Sequence, residues 1–318
     1  MACLDIVLGV VQRKDDMSVR RDRTDDMDGW TLNDIDMPAP TGQLDLTSYR
    51  DALTDEGFVT GDKTLLFDAL LALSLSKNLL LRGPTGSGKT KLAQSLAEKL
   101  RLPMESINCS VDLDAESLLG FKTLTTEDGR SEIRFVEGPV VRAMREGHLL
   151  YIDEINMARP ETLPILNSVL DYRRQLMNPF TAQTITAHER FRVIAAINEG
   201  YVGTSPMNEA LRNRFIVVDV PYLSGEPLKS LIRARTQLQD EKMIQHFADL
   251  SADLVAAARV GEVSEEGASI RALLDACDLA AHIPAARAVS RAVAAKLDDE
   301  REQAVVMNLA ETYFPLER

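Results

Sequence analysis

Short runs of apolar residues alternate with helical patterns through the middle of the chain. Residues 64–73 place apolar side chains at helical spacing, and residues 78–82 form a continuous apolar run typical of a buried strand. Four further short apolar runs follow, at residues 104–108, 149–152, 191–197 and 216–220. Continuous apolar strands separated by helices predict a parallel sheet covered by helices on both faces. The expected fold class is α/β, with a three-layer αβα domain built on a parallel five-stranded sheet.

The pattern changes after Pro221, where strand-like runs stop and segments rich in Ala and Leu show helical periodicity. Five such segments lie at residues 228–235, 243–260, 269–281, 285–297 and 303–314. Because no strand interrupts them, they predict a second, smaller all-α domain. We therefore expect an α/β domain over residues 61–223 and a helical lid domain over residues 224–318.

Residues 1–60 differ from the rest of the chain in their charge. They contain 13 Asp and Glu against 6 Lys and Arg, in a chain of 318 residues whose formal net charge is −13. Because residues 13–40 mix charges without an apolar face, we expect an acidic, partly disordered N-terminal arm. The acidic balance of the whole chain also disfavours binding through phosphate neutralisation, so nucleic acid is not the expected partner.

The three cysteines, Cys3, Cys109 and Cys277, lie too far apart in the sequence for a metal knuckle or a paired redox motif. An odd number of cysteines suits a reducing compartment better than a disulfide framework. No apolar run approaches the roughly 20 residues that span a bilayer, and the run at residues 6–11 is too short for the apolar core of an export signal. We therefore expect a cytoplasmic protein without membrane insertion.

A glycine-rich segment at residues 83–90 fits the pattern G-x-x-x-x-G-K-S/T, directly between the strand at 78–82 and a predicted helix at 92–100. Its glycines let backbone N–H groups surround phosphate oxygens, while Lys89 reaches the outer phosphates and the Thr90 hydroxyl binds Mg²⁺. The flanking strand and helix disfavour the alternative, a glycine-rich turn with a surface lysine. The predicted cofactors are ATP and Mg²⁺, and the predicted binding residues are Gly83, Pro84, Thr85, Gly86, Ser87, Gly88, Lys89 and Thr90.

The apolar run at residues 149–152 ends in two carboxylates, Asp153 and Glu154. Two acids at the carboxyl end of a buried parallel strand are costly unless they meet a cation or polarise a water molecule. We assign Asp153 to the Mg²⁺ site and Glu154 to general-base activation of the attacking water. The alternative is that the two acids cap the next helix, but the glycine-rich loop earlier in the chain favours the catalytic assignment.

Further candidate residues lie beside the last two predicted strands: one follows the first of these strands, and two precede the second. Asn198 ends the apolar run at 193–197 and could orient the attacking water or touch the γ-phosphate, although a strand-end asparagine is also a common turn residue. Arg212 and Arg214 come just before the last strand. Either arginine could reach a neighbouring subunit's nucleotide as a charge-stabilising finger, or both could be solvated arginines at a helix end.

In order and spacing, these motifs resemble those of AAA+ ATPases over residues 60–295, including a segment at 269–274 in the helical part. Three further stretches, at residues 135–140, 153–158 and 198–201, are similar to those of the MoxR branch, and within it to the CbbQ/NirQ/NorQ/GvpN group. The resemblance implies a P-loop NTPase domain followed by a helical lid.

The resemblance also implies roles for four of the candidate residues. Asp153 and Glu154 correspond to the Walker B pair, Asn198 to sensor 1, and Arg271 to sensor 2. An isolated helix arginine such as Arg271 is usually a surface residue, so its role depends on its position in the lid.

Arg214 corresponds to the family's arginine finger, with Arg212 as the second choice. Members of this branch form homo-oligomeric rings, and a hexamer is expected. They typically act with a partner that carries a von Willebrand factor A domain and assist cofactor or metal-centre assembly in a target enzyme. The resemblance therefore implies a MoxR-type ring ATPase that remodels or activates a client protein.

The branch also inserts two hairpin-like elements into the ATPase domain. By resemblance, the first lies between Asp112 and Ile133, and the second lies between Arg173 and Phe191. Glu199 stands where many relatives carry proline, a difference that concerns loop shape more than chemistry.

Three other functions fit part of the pattern. A nucleic-acid-acting AAA+ motor would share the motifs, but the acidic composition disfavours it. A small-molecule P-loop kinase would need neither a ring-type arginine finger nor a five-helix lid. A non-catalytic ATP-binding assembly module would not need Glu154 and Asn198.

Overall fold

The computed structural model describes residues 58–109, 113–127, 130–198 and 207–315. The arm predicted over residues 1–60 lies outside them except for its last three residues, and Glu199 lies outside them too. Nine strands occur in this part of the chain: β1 Asn78–Gly83, β2 Met104–Asn108, β3 Gly120–Glu127, β4 Arg130–Glu137, β5 Leu149–Asp153, β6 Gln175–Asn178, β7 Gln183–Thr186, β8 Arg192–Asn198 and β9 Phe215–Asp219.

Eleven α-helices occur in the same described residues. Six lie among the strands: α1 Lys63–Ser74, α2 Lys89–Lys99, α3 Ala115–Leu119, α4 Pro139–Glu146, α5 Leu163–Leu170 and α6 Glu209–Arg212. Five follow the last strand: α7 Gly225–Arg235, α8 Glu241–Arg259, α9 Ile270–Ala280, α10 Ala285–Ala292 and α11 Glu300–Tyr313. None of these described helices is both long and apolar enough to cross a membrane.

The five predicted strands form one parallel sheet in the order β2-β5-β8-β1-β9. Strand β1 lies between β8 and β9, where Gly83 pairs with Asn198 and Asn78 pairs with Phe215. Because all five strands run the same way, their carboxyl ends meet at one edge of the sheet. The residues predicted to bind nucleotide therefore lie at this edge.

Alternate side chains of β1 pack into two different cores. Leu79 and Leu81 are buried with residues of α1 and α2, whereas Leu80 is buried with residues of α4 and α5. Successive side chains of a strand point to opposite faces, so this division shows helices on both faces of the sheet. The three-layer α/β fold predicted from the apolar runs is confirmed.

The helices after β9 share a core of their own, formed by buried residues between Leu228 and Phe314. The last helix begins at Glu300, earlier than predicted, because the Asp299 carboxylate accepts a hydrogen bond from the Arg301 amide and caps it. The single helix predicted over residues 285–297 is divided in the structure: α10 ends at Ala292, and the short 3₁₀ helix Ala294–Lys296 follows it. The division into domains at residues 223 and 224 stays a prediction.

Two antiparallel hairpins project from the α/β part, one formed by β3 and β4 and the other by β6 and β7. They lie where the two insertions were expected, although β4 extends to Glu137, beyond the predicted limit of Ile133. Two glycines close the base of the first hairpin: a Cβ on Gly120 would lie 2.1 Å from the Val136 carbonyl oxygen, and the Gly138 amide donates to Leu119 O at 3.1 Å.

Candidate active site

The loop between β1 and α2 is packed so tightly that two of its glycine positions have no room for a side chain. Gly86 and Gly88 have φ angles of +78° and +91°, which glycine adopts far more readily than other residues. A Cβ on Gly83 would lie 2.2 Å from the Val220 carbonyl oxygen, and one on Gly86 would lie 2.3 Å from Ser269 Oγ. The glycines at these positions thus allow the loop to pack closely against Val220 and Ser269.

The polar atoms of this loop fit a triphosphate. Lys89 is only 6% exposed, and its Nζ donates to the carbonyl oxygens of Gly83 at 2.9 Å and Pro84 at 2.7 Å. Within the described residues, the hydroxyls of Thr85 and Ser87 are buried without a hydrogen-bond partner. Buried donors without acceptors are costly, and phosphate oxygens are strong acceptors. The loop is therefore suited to the phosphates of ATP.

Thr90 and Asp153, the predicted Mg²⁺ ligands, share one neighbour. The Tyr151 hydroxyl lies 3.2 Å from Thr90 Oγ1, and it is close enough to the Asp153 carboxylate to feel its charge. Burial and the Asp153 charge raise the pKa of Tyr151, so its hydroxyl stays protonated. A hydroxyl and a carboxylate beside a phosphate loop are the oxygen ligands that Mg²⁺ takes, so these residues fit the ion.

Sequence reasoning missed Tyr151. The available signal was a tyrosine within an otherwise aliphatic strand, since a buried tyrosine hydroxyl usually has a polar partner.

Glu154 and Asn198 lie in contact at the carboxyl edge of the sheet. Asn198 Nδ2 donates to Glu154 Oε1 at 3.2 Å, and the Glu154 amide donates to Asp153 Oδ1 at 3.1 Å. Glu154 has a φ of +52°, and a non-glycine residue held in this region is typical of functional sites. Its side chain makes no capping hydrogen bond to the 3₁₀ helix Ile155–Met157 that follows. The geometry thus favours the catalytic assignment over a helix cap.

Arg212 and Arg214 lie at the opposite end of the sheet from the phosphate loop. Arg214 directly precedes β9, whose first residue pairs with Asn78 at the start of β1, whereas the loop begins where β1 ends. At about 3.3 Å per residue, the two ends of β1 are roughly 16 Å apart. Arg212 is exposed, and the Arg214 guanidinium donates to the Ala210 carbonyl oxygen. The structure does not bring either arginine to the phosphate loop of its own chain.

Arg271 lies on the side of the helical part that faces the phosphate loop. It occupies the first turn of α9, two positions after Ser269, whose hydroxyl lies close to Gly86. Burial and the positive charges of Arg235 and Arg271 lower the pKa of Lys91 in α2, which shows that these cations lie near one another. The structure therefore places the predicted sensor 2 arginine beside the helix that follows the loop.

A second contact from the helical part, which sequence reasoning missed, involves Glu265. Its Oε2 accepts a hydrogen bond from the Thr85 amide of the phosphate loop at 3.2 Å, and its carbonyl oxygen accepts one from the Tyr222 hydroxyl at 3.1 Å. A carboxylate on this amide stands where an anionic ligand would be attracted. Glu265 lies 180 positions after Thr85, so no local pattern could reveal the pair.

A cavity of about 180 Å³ adjoins the phosphate loop at Ser87. Its other walls come from residues 58–62, before α1, and from residues 220–224, between β9 and α7. Residues 58–60 were assigned to the N-terminal arm, but Phe58 is buried in the core with α1 and α2, and Thr60 is buried as well. The predicted arm is therefore too long at its carboxyl end.

Comparisons with known proteins agree with this geometry. Residues 78–215 match the family model of the AAA domain, dynein-related subfamily. The chain is 58% identical over 266 residues to the uncharacterized protein YojN of Bacillus subtilis. This match covers 84% of the chain and 88% of YojN. It is 58% identical over 258 residues to an uncharacterized protein of Staphylococcus epidermidis, with 81% of this chain and 98% of that protein covered.

Among solved structures, the chain is similar to a RuvB variant from Thermotoga maritima, with 20% sequence identity and a TM-score of 0.46. That match covers 76% of this chain and 71% of the RuvB chain. The family match, which runs from the first residue of β1 to the first residue of β9, includes the phosphate loop, Asp153, Glu154 and Asn198. The chain therefore belongs to the same family as YojN and its staphylococcal relative, and its residues 78–215 form an AAA domain of the dynein-related subfamily.

Proposed function

We propose that this protein is an ATP-hydrolysing AAA+ ring ATPase of the MoxR type, which uses hydrolysis to remodel or activate a client protein. The observation that carries the hydrolytic part is the hydrogen bond from Asn198 to Glu154, at the sheet edge where the phosphate loop begins. A protein that only binds nucleotide has no need for a carboxylate held in this orientation.

The proposed mechanism assigns one task to each side chain. Lys89 exchanges the carbonyl oxygens of Gly83 and Pro84 for the outer phosphates of ATP. Mg²⁺, held by Thr90 and Asp153, would neutralise charge on these phosphates. Glu154 accepts the proton of the attacking water, and Asn198 keeps the Glu154 carboxylate oriented.

The cavity next to Ser87 suits the base of the nucleotide. Apolar side chains form much of its wall, and Phe58 and Tyr222 contribute aromatic surface. The base would thus contact both the segment before α1 and the segment that leads into the helical part.

The position of Arg214 supports a ring. An arginine that acts on the γ-phosphate must come within a few ångströms of it, and the strand length separates Arg214 from the phosphate loop of its own chain. In a ring, which we propose to be a hexamer, this end of the sheet would face the nucleotide of the neighbouring protomer. We propose Arg214 as the finger and Arg271 as the sensor 2 residue, which would approach the nucleotide from the helical part of the same chain.

The hairpin of β3 and β4 supports a protein client. It carries two cross-strand pairs of apolar residues, Phe121 with Val136 and Leu124 with Ile133, and all four side chains are exposed, Leu124 by 66% and Ile133 by 70%. Three positions separate Phe121 from Leu124, so the two pairs lie on opposite faces of the hairpin, and each face exposes the apolar side chains that are typical of protein-binding surfaces. The von Willebrand factor A domain partner is proposed from the resemblance to the MoxR branch alone.

The first test is the reaction itself. Purified protein with ATP and Mg²⁺ is expected to release phosphate steadily and to show, in light scattering, the mass of several protomers. Stimulation of this rate by DNA at low salt would instead favour a nucleic-acid motor. Tight ATP binding without phosphate release would contradict the proposal and favour an assembly module.

Glu265→Gln is expected to tighten ATP binding about fivefold, because it removes a negative charge next to the phosphate loop, and one such charge contact in water contributes about 1 kcal/mol. The measurement is the dissociation constant of ATP, by calorimetry. The matched control is Glu266→Gln, whose side chain is exposed on the same segment. An equal gain in both variants would show a general charge effect and contradict a local role for Glu265.

A further inference from the structure

A buried asparagine joins the start of β1 to the residue proposed as the arginine finger. Asn78 is 5% exposed, and its Nδ2 donates to the carbonyl oxygens of Leu170 at 2.9 Å and Arg214 at 3.0 Å. Its Oδ1 accepts from Arg174 Nη2 at 2.9 Å. Both amide hydrogens and the amide oxygen are therefore engaged, each by a different segment of the chain.

Arg174 determines which way the Asn78 amide points. A guanidinium has only donors, so it must face the amide oxygen, and this leaves the NH₂ group for the two carbonyl oxygens. Arg174 is itself held by a hydrogen bond to Ser76 O at 2.8 Å and by the Phe191 ring, whose centroid lies 5.4 Å from the guanidinium carbon. Burial, together with the charge of Arg192, lowers the pKa of Arg174 to about 10, so it remains a cation at neutral pH.

The Arg214 backbone is held on two sides. Its amide donates to Leu211 O at 3.1 Å, in the turn that ends α6, and its carbonyl oxygen accepts from Asn78. The helix α6 spans only Glu209–Arg212, so it makes few hydrogen bonds of its own. The hydrogen bond from Asn78 therefore fixes the backbone of Arg214 at the point where the chain enters β9.

We propose that Asn78 is a positioning residue for Arg214, and that it sets the geometry with which one protomer completes the active site of the next. This inference rests on the proposed function, because it requires Arg214 to act in trans. It goes further in that one strand, β1, leads into the phosphate loop at one end and, at the other end, anchors the finger that would complete the neighbouring protomer's site.

The test uses Asn78→Leu, which keeps the approximate volume and removes all three hydrogen bonds, and Asn78→Asp, which keeps an acceptor for Arg174 but cannot donate to Arg214 O. For both, kcat is expected to fall about 10- to 100-fold, because a displacement near 1 Å of a catalytic group has effects of this size. The dissociation constant of ATP should stay within about twofold, since the phosphate loop is at the other end of β1.

Subunit mixing identifies which site is damaged. Mixed with Lys89→Ala, an Asn78 variant should recover activity, because its intact phosphate loop meets an intact finger on the partner protomer. Mixed with Arg214→Ala, it should recover none, because both chains then lack a working finger. Recovery in the opposite pattern would show that Asn78 supports its own phosphate loop, and would overturn the proposal.

Non-additivity gives an independent readout. In an Arg214→Ala background, Asn78→Leu should lower kcat by less than twofold further, because residues that act as a unit do not add. An additional loss as large as in the wild type would contradict the proposal. If Arg214→Ala and Lys89→Ala fail to complement each other despite demonstrated mixing, the proposed trans site fails, and the role of Asn78 fails with it.

Asn178 provides a matched control. It is also a buried strand asparagine, 1% exposed at the end of β6, and its Oδ1 accepts from the Phe180 amide at 2.9 Å. Asn178→Leu is expected to lower the thermal midpoint as Asn78→Leu does, while leaving kcat unchanged. A matching fall of kcat in Asn178→Leu would reduce the Asn78 effect to a loss of stability and overturn the positioning role. If Asn78→Leu does not fold, Asn78→Asp carries the same comparisons.

Discussion

Arg214→Ala is expected to lower kcat for ATP hydrolysis by about 10³ to 10⁵, or about 4 to 7 kcal/mol of transition-state stabilisation, while ATP binding is retained. The reason is that the guanidinium would meet charge that develops on the γ-phosphate only as the bond breaks. The measurements are phosphate release and the dissociation constant of ATP for the same variant.

Mixing experiments show whether Arg214 acts across a subunit boundary. Arg214→Ala and Lys89→Ala should each be nearly inactive, and exchange of subunits should restore activity at interfaces where an intact loop meets an intact finger. Arg212→Ala is the matched comparison, since this exposed arginine lies two positions earlier. Recovery only in the mixture of Arg212→Ala with Lys89→Ala would move the role to Arg212. No recovery in either mixture would show that each site is complete within one chain.

Glu154→Gln is expected to lower kcat by about 10² to 10⁴ without weakening ATP binding, because the lost general base acts on the transition state. Lys89→Ala should instead raise the dissociation constant of ATP by at least about tenfold, because it removes a buried cation from the phosphate loop. Calorimetry and single-turnover hydrolysis separate the two effects.

The control for Glu154→Gln is Glu161→Gln, since Glu161 is an exposed glutamate shortly before α5. Its kcat should equal that of the wild type. Equal losses of ATP affinity in Glu154→Gln and Lys89→Ala would refute the separate roles of binding and hydrolysis.

The parts of the site that the sequence predicts are those encoded locally. The phosphate loop follows from one contiguous motif, and Asp153, Glu154 and Asn198 end apolar runs whose parallel pairing brings them to one edge. The strands themselves are legible because a sheet buried on both faces needs continuous apolar segments. Each of these features is encoded by residues that are close together in the sequence, and each must satisfy a strong physical requirement of the fold or of the ligand.

The contacts that the sequence does not reveal join distant segments through single side chains. Asn78 bonds to a residue 136 positions later, and Thr85 bonds to one 180 positions later. An asparagine at the start of an apolar run is equally compatible with a solvent-exposed strand end, so only the fold shows that its amide is enclosed. The cavity beside Ser87 was missed for the same reason, because two of its walls lie far apart in the chain.

The close approach of Ser269 to Gly86, together with the hydrogen bond from the Thr85 amide to Glu265, has a mechanical consequence. Two adjacent residues of the phosphate loop thus contact the helical part, whose helices share one core. A triphosphate that bound the Thr85 amide would replace the Glu265 carboxylate there, and would remove one of the contacts between the phosphate loop and the helical part.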